Sequence, residues 1–136
     1  ARGIADRNKS LWGGWFMELE TESIYHAGDT GYSSDFIETR KRLGSPDLSL
    51  IPMGAYAPRW FMKTNHVNPK EAVQISLDLG SKQSLAMHWG TFLLTDEEVL
   101  EPPALLKKAL EEKNLDQKYF ITLKPGEVFN LLPREP

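Results

Sequence analysis

Asn68-Pro69-Lys70-Glu71-Ala72-Val73-Gln74-Ile75-Ser76-Leu77-Asp78-Leu79-Gly80, followed after a short gap by Ser84-Leu85-Ala86-Met87-His88, is the stretch that decides the fold. Asn68 can cap a helix by accepting from a free backbone N–H, Pro69 has no N–H to leave unpaired, and Glu71 can reach back to the cap. Ala72, Ile75 and Leu79 recur at helical spacing and form an inner face, and Gly80 ends the helix. Ser84 to His88 then reads as a short strand. With Leu48 to Pro52 as a short buried strand upstream, the unit is strand, helix, strand, the signature of a layered α/β structure.

Upstream, Ser10 to Glu20 alternates in its second half. Trp15, Met17 and Leu19 fall on one side and Phe16, Glu18 and Glu20 on the other, which is a strand. A turn at Thr21-Glu22-Ser23 leads to a second strand, Ser23 to Ala27, completing a hairpin. Ser33 or Ser34 caps a helix with Asp35 and Glu38 in its first turns and Arg40, Lys41 and Arg42 at its end, as the macrodipole prefers. Its expected inner face is Phe36, Ile37, Arg40 and Leu43, and Gly44 is its stop. Gly54 to His66 reads as a long aromatic loop. Downstream, Pro102 or Pro103 opens a helix through about Lys113, buried through Leu105, Leu106, Ala109 and Leu110. Two last strands, about Tyr119 to Leu123 and Glu127 to Leu131, flank a Lys124-Pro125-Gly126 turn. The expected order is ββ-α-β-α-β-α-ββ, without repeat or linker.

The 136 residues make one domain at most, against ~150 residues for a typical one. Net charge is −3, which argues against a nucleic-acid partner needing a basic face. Apolar runs stop far short of the ~20 residues of a transmembrane segment, and no signal-peptide core opens the chain. With no cysteine, disulfides, Cys-ligated zinc and thiol catalysis are excluded. The chain opens Ala1-Arg2-Gly3 without an initiator Met, so we expect a piece of a longer protein.

Polar residues gather at the C-terminal ends of strands, where open α/β sheets bind ligands. Asp29 stands there between glycines and His88 before Trp89-Gly90. A carboxylate and an imidazole at the ends of separate strands suit a zinc-type site; a capping Asp and a half-buried, hydrogen-bonded His suit the same positions, and two ligands are fewer than zinc needs. His66, at the end of the aromatic loop, could contact an anionic substrate, act as a general acid or base, or bond loop backbone. His26, mid-strand, reads as structural. Tyr56, Arg59, Trp60, Phe61 and Met62 combine apolar area with one cation, which fits either an amphiphile carrying a phosphate or a core or subunit contact. No Gly-x-Ser-x-Gly elbow, Walker loop or dinucleotide fingerprint is present.

Four ordered motifs go further: Ala27-Gly28-Asp29-Thr30-Gly31-Tyr32, Ile51-Pro52-Met53-Gly54-Ala55-Tyr56-Ala57-Pro58-Arg59-Trp60-Phe61-Met62, Met87-His88-Trp89-Gly90-Thr91-Phe92 and Leu100-Glu101-Pro102-Pro103. Together they resemble the C-terminal half of the N-acylphosphatidylethanolamine-hydrolysing phospholipase D family and its bacterial relatives, hydrolases of the metallo-β-lactamase fold. The resemblance implies half of an αββα sandwich, with residues 1–136 as the C-terminal half of the domain. It implies that Asp29 is a bridging carboxylate and His88 a final imidazole ligand of a dinuclear zinc centre. It implies that His66 lies at the phospholipid site, with Tyr56 and Arg59 in the loop that lines it. The family's His-x-His-x-Asp-His motif and a later lone His are absent from this chain, and the family places both upstream of Ala1.

The chemistry so implied is metal-assisted hydrolysis of a phosphodiester by two ions roughly 3.5–4 Å apart, without a covalent enzyme intermediate. The expected substrate is an N-acylphosphatidylethanolamine-like phospholipid or another phosphodiester, and the missing N-terminal half or a second copy is the expected protein partner. Alone, the chain is expected to bind zinc poorly and to be inactive. A cytoplasmic or peripheral membrane location is expected. The alternatives are a non-catalytic binding module and a hydrolase of the same fold with another substrate.

Overall fold

The computed structural model describes residues 13–131. Within them lie strands β1 (Trp15–Glu18), β2 (Ser23–His26), β3 (Leu48–Pro52), β4 (Gln83–Met87) and β5 (Phe120–Ile121), and helices α1 (Asp35–Leu43), α2 (Arg59–Met62), α3 (Pro69–Leu79) and α4 (Glu101–Glu112). The strands form one sheet in the order β1-β2-β3-β4-β5. The β1–β2 hairpin is antiparallel and every later pairing is parallel. Each parallel strand is added on the same side of the last, so crossovers of a single hand carry the helices to one face of the sheet.

That face holds the core. Tyr25, Ile51, Ala86 and Phe120 meet Phe36 of α1, Val73, Ile75 and Leu79 of α3, and Leu106, Ala109 and Leu110 of α4. Buried serines between the layers pair with one another, Ser49 with Ser81 at 2.6 Å and Ser76 with Ser84 at 2.7 Å, and the Tyr119 hydroxyl donates to Ser76. Asp47, also buried, accepts from the backbone N–H and hydroxyl of Ser23 at 2.7 and 2.9 Å and pairs with Lys82 at 2.8 Å. These bonds tie the start of β2 to the start of β3.

No described helix packs on the opposite face. Register places Met17, Ile24, Leu50, Leu85 and Ile121 along it, each exposed or half-buried. Trp15 and Met17 are on this side, and Phe16 packs against the core instead.

α3 forms as its sequence predicts. Asn68 accepts from the Glu71 N–H at 2.8 Å, the Glu71 carboxylate accepts from the Asn68 N–H at 3.1 Å, and Gly80 closes the helix in the left-handed region. Four expectations need correction. Only Phe36 of the expected inner face of α1 is buried, because the helix touches the core along one narrow edge; Ile37 and Leu43 are exposed. Leu105 is likewise turned outward from α4. The aromatic loop contains one helical turn, α2. Glu127 to Leu131 forms no strand: the turn before it closes, with the Lys124 N–H on the Glu127 carboxylate, but no described strand lies beside it to complete a ladder. Ser10 to Trp12, at the start of the first expected strand, lie outside the described residues.

Candidate metal and substrate site

Three parallel strands end side by side, and their loops form the site. β2 runs on through Ala27, whose N–H bonds the Leu50 carbonyl at 3.0 Å, and turns at Gly28, with φ of 66°, to present Asp29. The Gly28 N–H bonds Nδ1 of His26 at 3.1 Å, so His26 serves the turn. β3 runs on through Met53, whose N–H bonds the Met87 carbonyl, into Gly54. A side chain there would place its Cβ 2.2 Å from the His88 carbonyl oxygen, so only glycine lets the two strand ends approach this closely. His88 leaves β4 with φ of 59°, a left-handed conformation that a side chain with a Cβ disfavours.

The geometry brings together Asp29, His66 and His88. His88 Nε2 lies 3.5 Å from the Asp29 carboxylate. The His66 ring stacks on that of His88 with centroids 5.3 Å apart and planes 28° from parallel. His66 Nδ1 is buried without a hydrogen-bond partner among the described residues. Burial, and then the neighbouring His88, pull the His66 pKa down, while Asp29 and Glu97 pull the other way. Burial thus favours the neutral form of His66, beside two potential ligands.

Tyr56 and Arg59 are close by but inward-looking. The Tyr56 hydroxyl donates to Glu101, and burial together with that carboxylate pushes its pKa well up. Arg59 reaches both Glu71 oxygens at 2.7 and 2.9 Å and the His66 carbonyl at 2.8 Å. The structure thus gives its guanidinium an internal carboxylate where a substrate phosphate is the expected partner. Two residues of this network escaped the sequence reading. Glu97, in the run Thr95-Asp96-Glu97-Glu98, reads as a solvated loop, yet its carboxylate accepts from the Tyr56 and Ala57 N–H groups at 3.2 and 3.0 Å. Burial raises its pKa, but these bonds and the Thr95 side chain outweigh burial and hold it low. Glu71 reads only as a helix cap, and its bond to Arg59 has no local signal at all.

Asp29 and His88 have the donor chemistry of a zinc site, one carboxylate oxygen and one imidazole nitrogen. They fit as two ligands of such a group. No cluster of three or more metal-capable side chains occurs among the described residues.

Residues 1–89 match the family described as the β-lactamase superfamily domain, and the chain belongs to that superfamily. It is similar to N-acyl-phosphatidylethanolamine-hydrolyzing phospholipase D 1 of Caenorhabditis elegans, with 40% identity over 98% of this chain and 38% of that protein. It is also similar to the mitochondrial N-acyl-phosphatidylethanolamine-hydrolyzing phospholipase D of Saccharomyces cerevisiae, with 42% identity over 81% of this chain and 24% of that protein. A UPF0173 metal-dependent hydrolase of Methanopyrus kandleri is 34% identical over 85% of this chain and 44% of its own length. Among solved structures, a metallo-β-lactamase fold protein of Bacillus subtilis matches with a TM-score of 0.61 at 20% identity, over 86% of this chain and 43% of that one. The fold is that of a metallo-β-lactamase domain, and the chain spans less than half the length of each of these relatives.

Proposed function

We propose that this chain supplies the C-terminal half of a zinc-dependent phosphodiesterase of the phospholipase D type, acting on N-acylphosphatidylethanolamine-like lipids. The observation that carries the reading is the convergence of Asp29, His66 and His88 at adjoining strand ends, in a chain 40% identical to such an enzyme. When bound, two zinc ions supply Lewis-acid stabilisation of the phosphoryl oxygens and a nucleophile at neutral pH. With zinc bound, Asp29 would supply a carboxylate oxygen and His88 an imidazole nitrogen as ligands. His66 faces the substrate and gives its unpartnered nitrogen a use in binding or proton transfer. Tyr56 and Arg59 belong to the wall on the substrate side, Tyr56 with its hydroxyl held on Glu101 and Arg59 through the backbone it grips.

The sheet face without a described helix supports the division of the domain. An apolar sheet surface needs a covering layer, and the N-terminal half with the remaining ligands is the layer we assign to it. On this reading the chain alone is inactive and holds zinc weakly. No described helix is long and apolar enough to cross a membrane; we assign the protein to the cytoplasm or a membrane surface.

Asp29→Asn and His88→Ala in the intact protein test the reading. Both are expected to abolish hydrolysis of N-acylphosphatidylethanolamine and to reduce bound metal, since an amide cannot replace the charge of a carboxylate ligand and His88→Ala removes the imidazole nitrogen. Near-normal metal and activity in Asp29→Asn would remove that residue from the centre. One observation favours a second reading, a non-catalytic binding module: no group of three or more side chains that could hold a metal ion occurs among the described residues. The sequence upstream of Ala1 separates the two, because the enzyme requires His-x-His-x-Asp-His there.

A further inference from the structure

We propose that Arg59 and Glu71 form a clamp that positions His66, making both of them positioning residues for the reaction. The inference deepens the proposed function and rests on the substrate-side role given there to His66. Arg59 sits at the start of α2 and Glu71 in the first turn of α3, and His66 lies in the few residues that join the two helices. One guanidinium nitrogen grips both Glu71 oxygens at 2.7 and 2.9 Å, and another reaches the His66 carbonyl at 2.8 Å and the Tyr56 carbonyl at 3.4 Å. Glu71 is fixed in turn, because its carboxylate also accepts from the Asn68 N–H two residues beyond His66. The His66 N–H bonds the Met62 carbonyl at 2.8 Å, and Val67 beside it is fully buried.

The backbone of His66 is thus held at its N–H, at its carbonyl and through its neighbour. Its side chain makes no hydrogen bond through Nδ1 and lies against His88 only by ring stacking. The direction of the imidazole therefore comes from the backbone hold, and Arg59 supplies the side-chain part of that hold, at the His66 carbonyl. The pair is well placed to keep its geometry, with side chains 30% and 22% exposed. A planar fork serves two carboxylate oxygens and two carbonyls at once, which a lysine ammonium on a flexible stem cannot do. Misplacing a reacting group by about 1 Å can lower a rate on the order of 100-fold.

The test uses the intact enzyme carrying this chain, with R59K, E71Q, H66A and the R59K/H66A and E71Q/H66A double variants. Zinc content, kcat and KM on N-acylphosphatidylethanolamine in mixed micelles, and the ¹H–¹³C resonances of the His66 ring are measured for each. R59K and E71Q are expected to lower kcat on the order of 10-fold to 100-fold with metal content retained and KM little changed. They are expected to shift the His66 ring resonances, and in the H66A background to cause no further loss. Independent losses that multiply in the double variants, or an unmoved His66 ring, would overturn the clamp. Full activity in H66A would instead overturn the role of His66 in the proposed function, and the ring resonances would still decide the clamp. E71Q keeps the size of the side chain and an acceptor for the Asn68 cap, so it carries the test should R59K fail to fold.

Discussion

His88 holds a strained backbone position while its carbonyl is pressed against Gly54. The two features are one arrangement: the left-handed turn at His88 fits because residue 54 has no Cβ. Gly54→Ala forces backbone against backbone, where no flexible side-chain end can give way. We expect it to destabilise the protein by about 2 kcal/mol, in the range of overpacking substitutions, and, on the proposed function, to cut metal retention in the intact protein. Urea denaturation and metal analysis check both effects. His66→Ala is expected to behave differently. Metal and fold should persist while kcat/KM on the phospholipid falls on the order of 100-fold, as for a lost acid–base contact. The loss should be smaller on a short, water-soluble phosphodiester. Equal losses on both substrates with metal missing would make His66 a ligand.

Among the elements, β2 and β3 are tied at their N-terminal ends, where Asp47 meets Ser23 and Lys82. Asp47→Asn replaces a carboxylate that accepts several bonds with an amide that must point a donor at a donor. A loss of about 2 kcal/mol is expected, the scale of an unsatisfied buried group, measured by denaturant unfolding. Lys82→Ala should change stability far less, because the lysine end of the pair is 66% exposed. Elements whose signals are local were legible in the sequence. α3 carries its cap, its proline, its apolar spacing and its closing glycine in one run of residues, and the hairpin β1–β2 shows its alternation. α2 is a single turn, too short to show a period, and Glu127 to Leu131 has strand-like residues without a described strand to pair with. The site divided in the same way. Asp29 and His88 were visible as polar residues at strand ends. The bonds from Glu71 to Arg59 and from Glu97 to Tyr56 cross 12 and 41 positions, respectively, and depend on how loops pack.

At the scale of the whole molecule, the described helices dress the sheet on one side only. Ile24, Leu50, Leu85 and Ile121 form an apolar strip on the other, with Met17 beside it. The 136-residue chain produced alone should self-associate through that face, seen as a concentration-dependent mass in light scattering. Leu50→Lys and Leu85→Lys together should shift it towards monomer, and an unchanged mass would show that association uses another surface. The same isolated chain should retain less than stoichiometric zinc after dialysis, since on the proposed reading Asp29 and His88 are two of the four ligands that a closed site needs. Stoichiometric, chelator-resistant zinc would show that further donors lie within this chain.

Asp29 and His88 stand at the ends of β2 and β4, on the rim of that strip. On the proposed reading, whatever layer covers the strip carries the remaining ligands with it, so assembly and metal loading become a single event. A pair of fragments divided at this seam would then work as a complementation reporter. Hydrolysis would switch on when the fragments meet, and a chelator, by withdrawing the shared ions, would act as a dissociating agent.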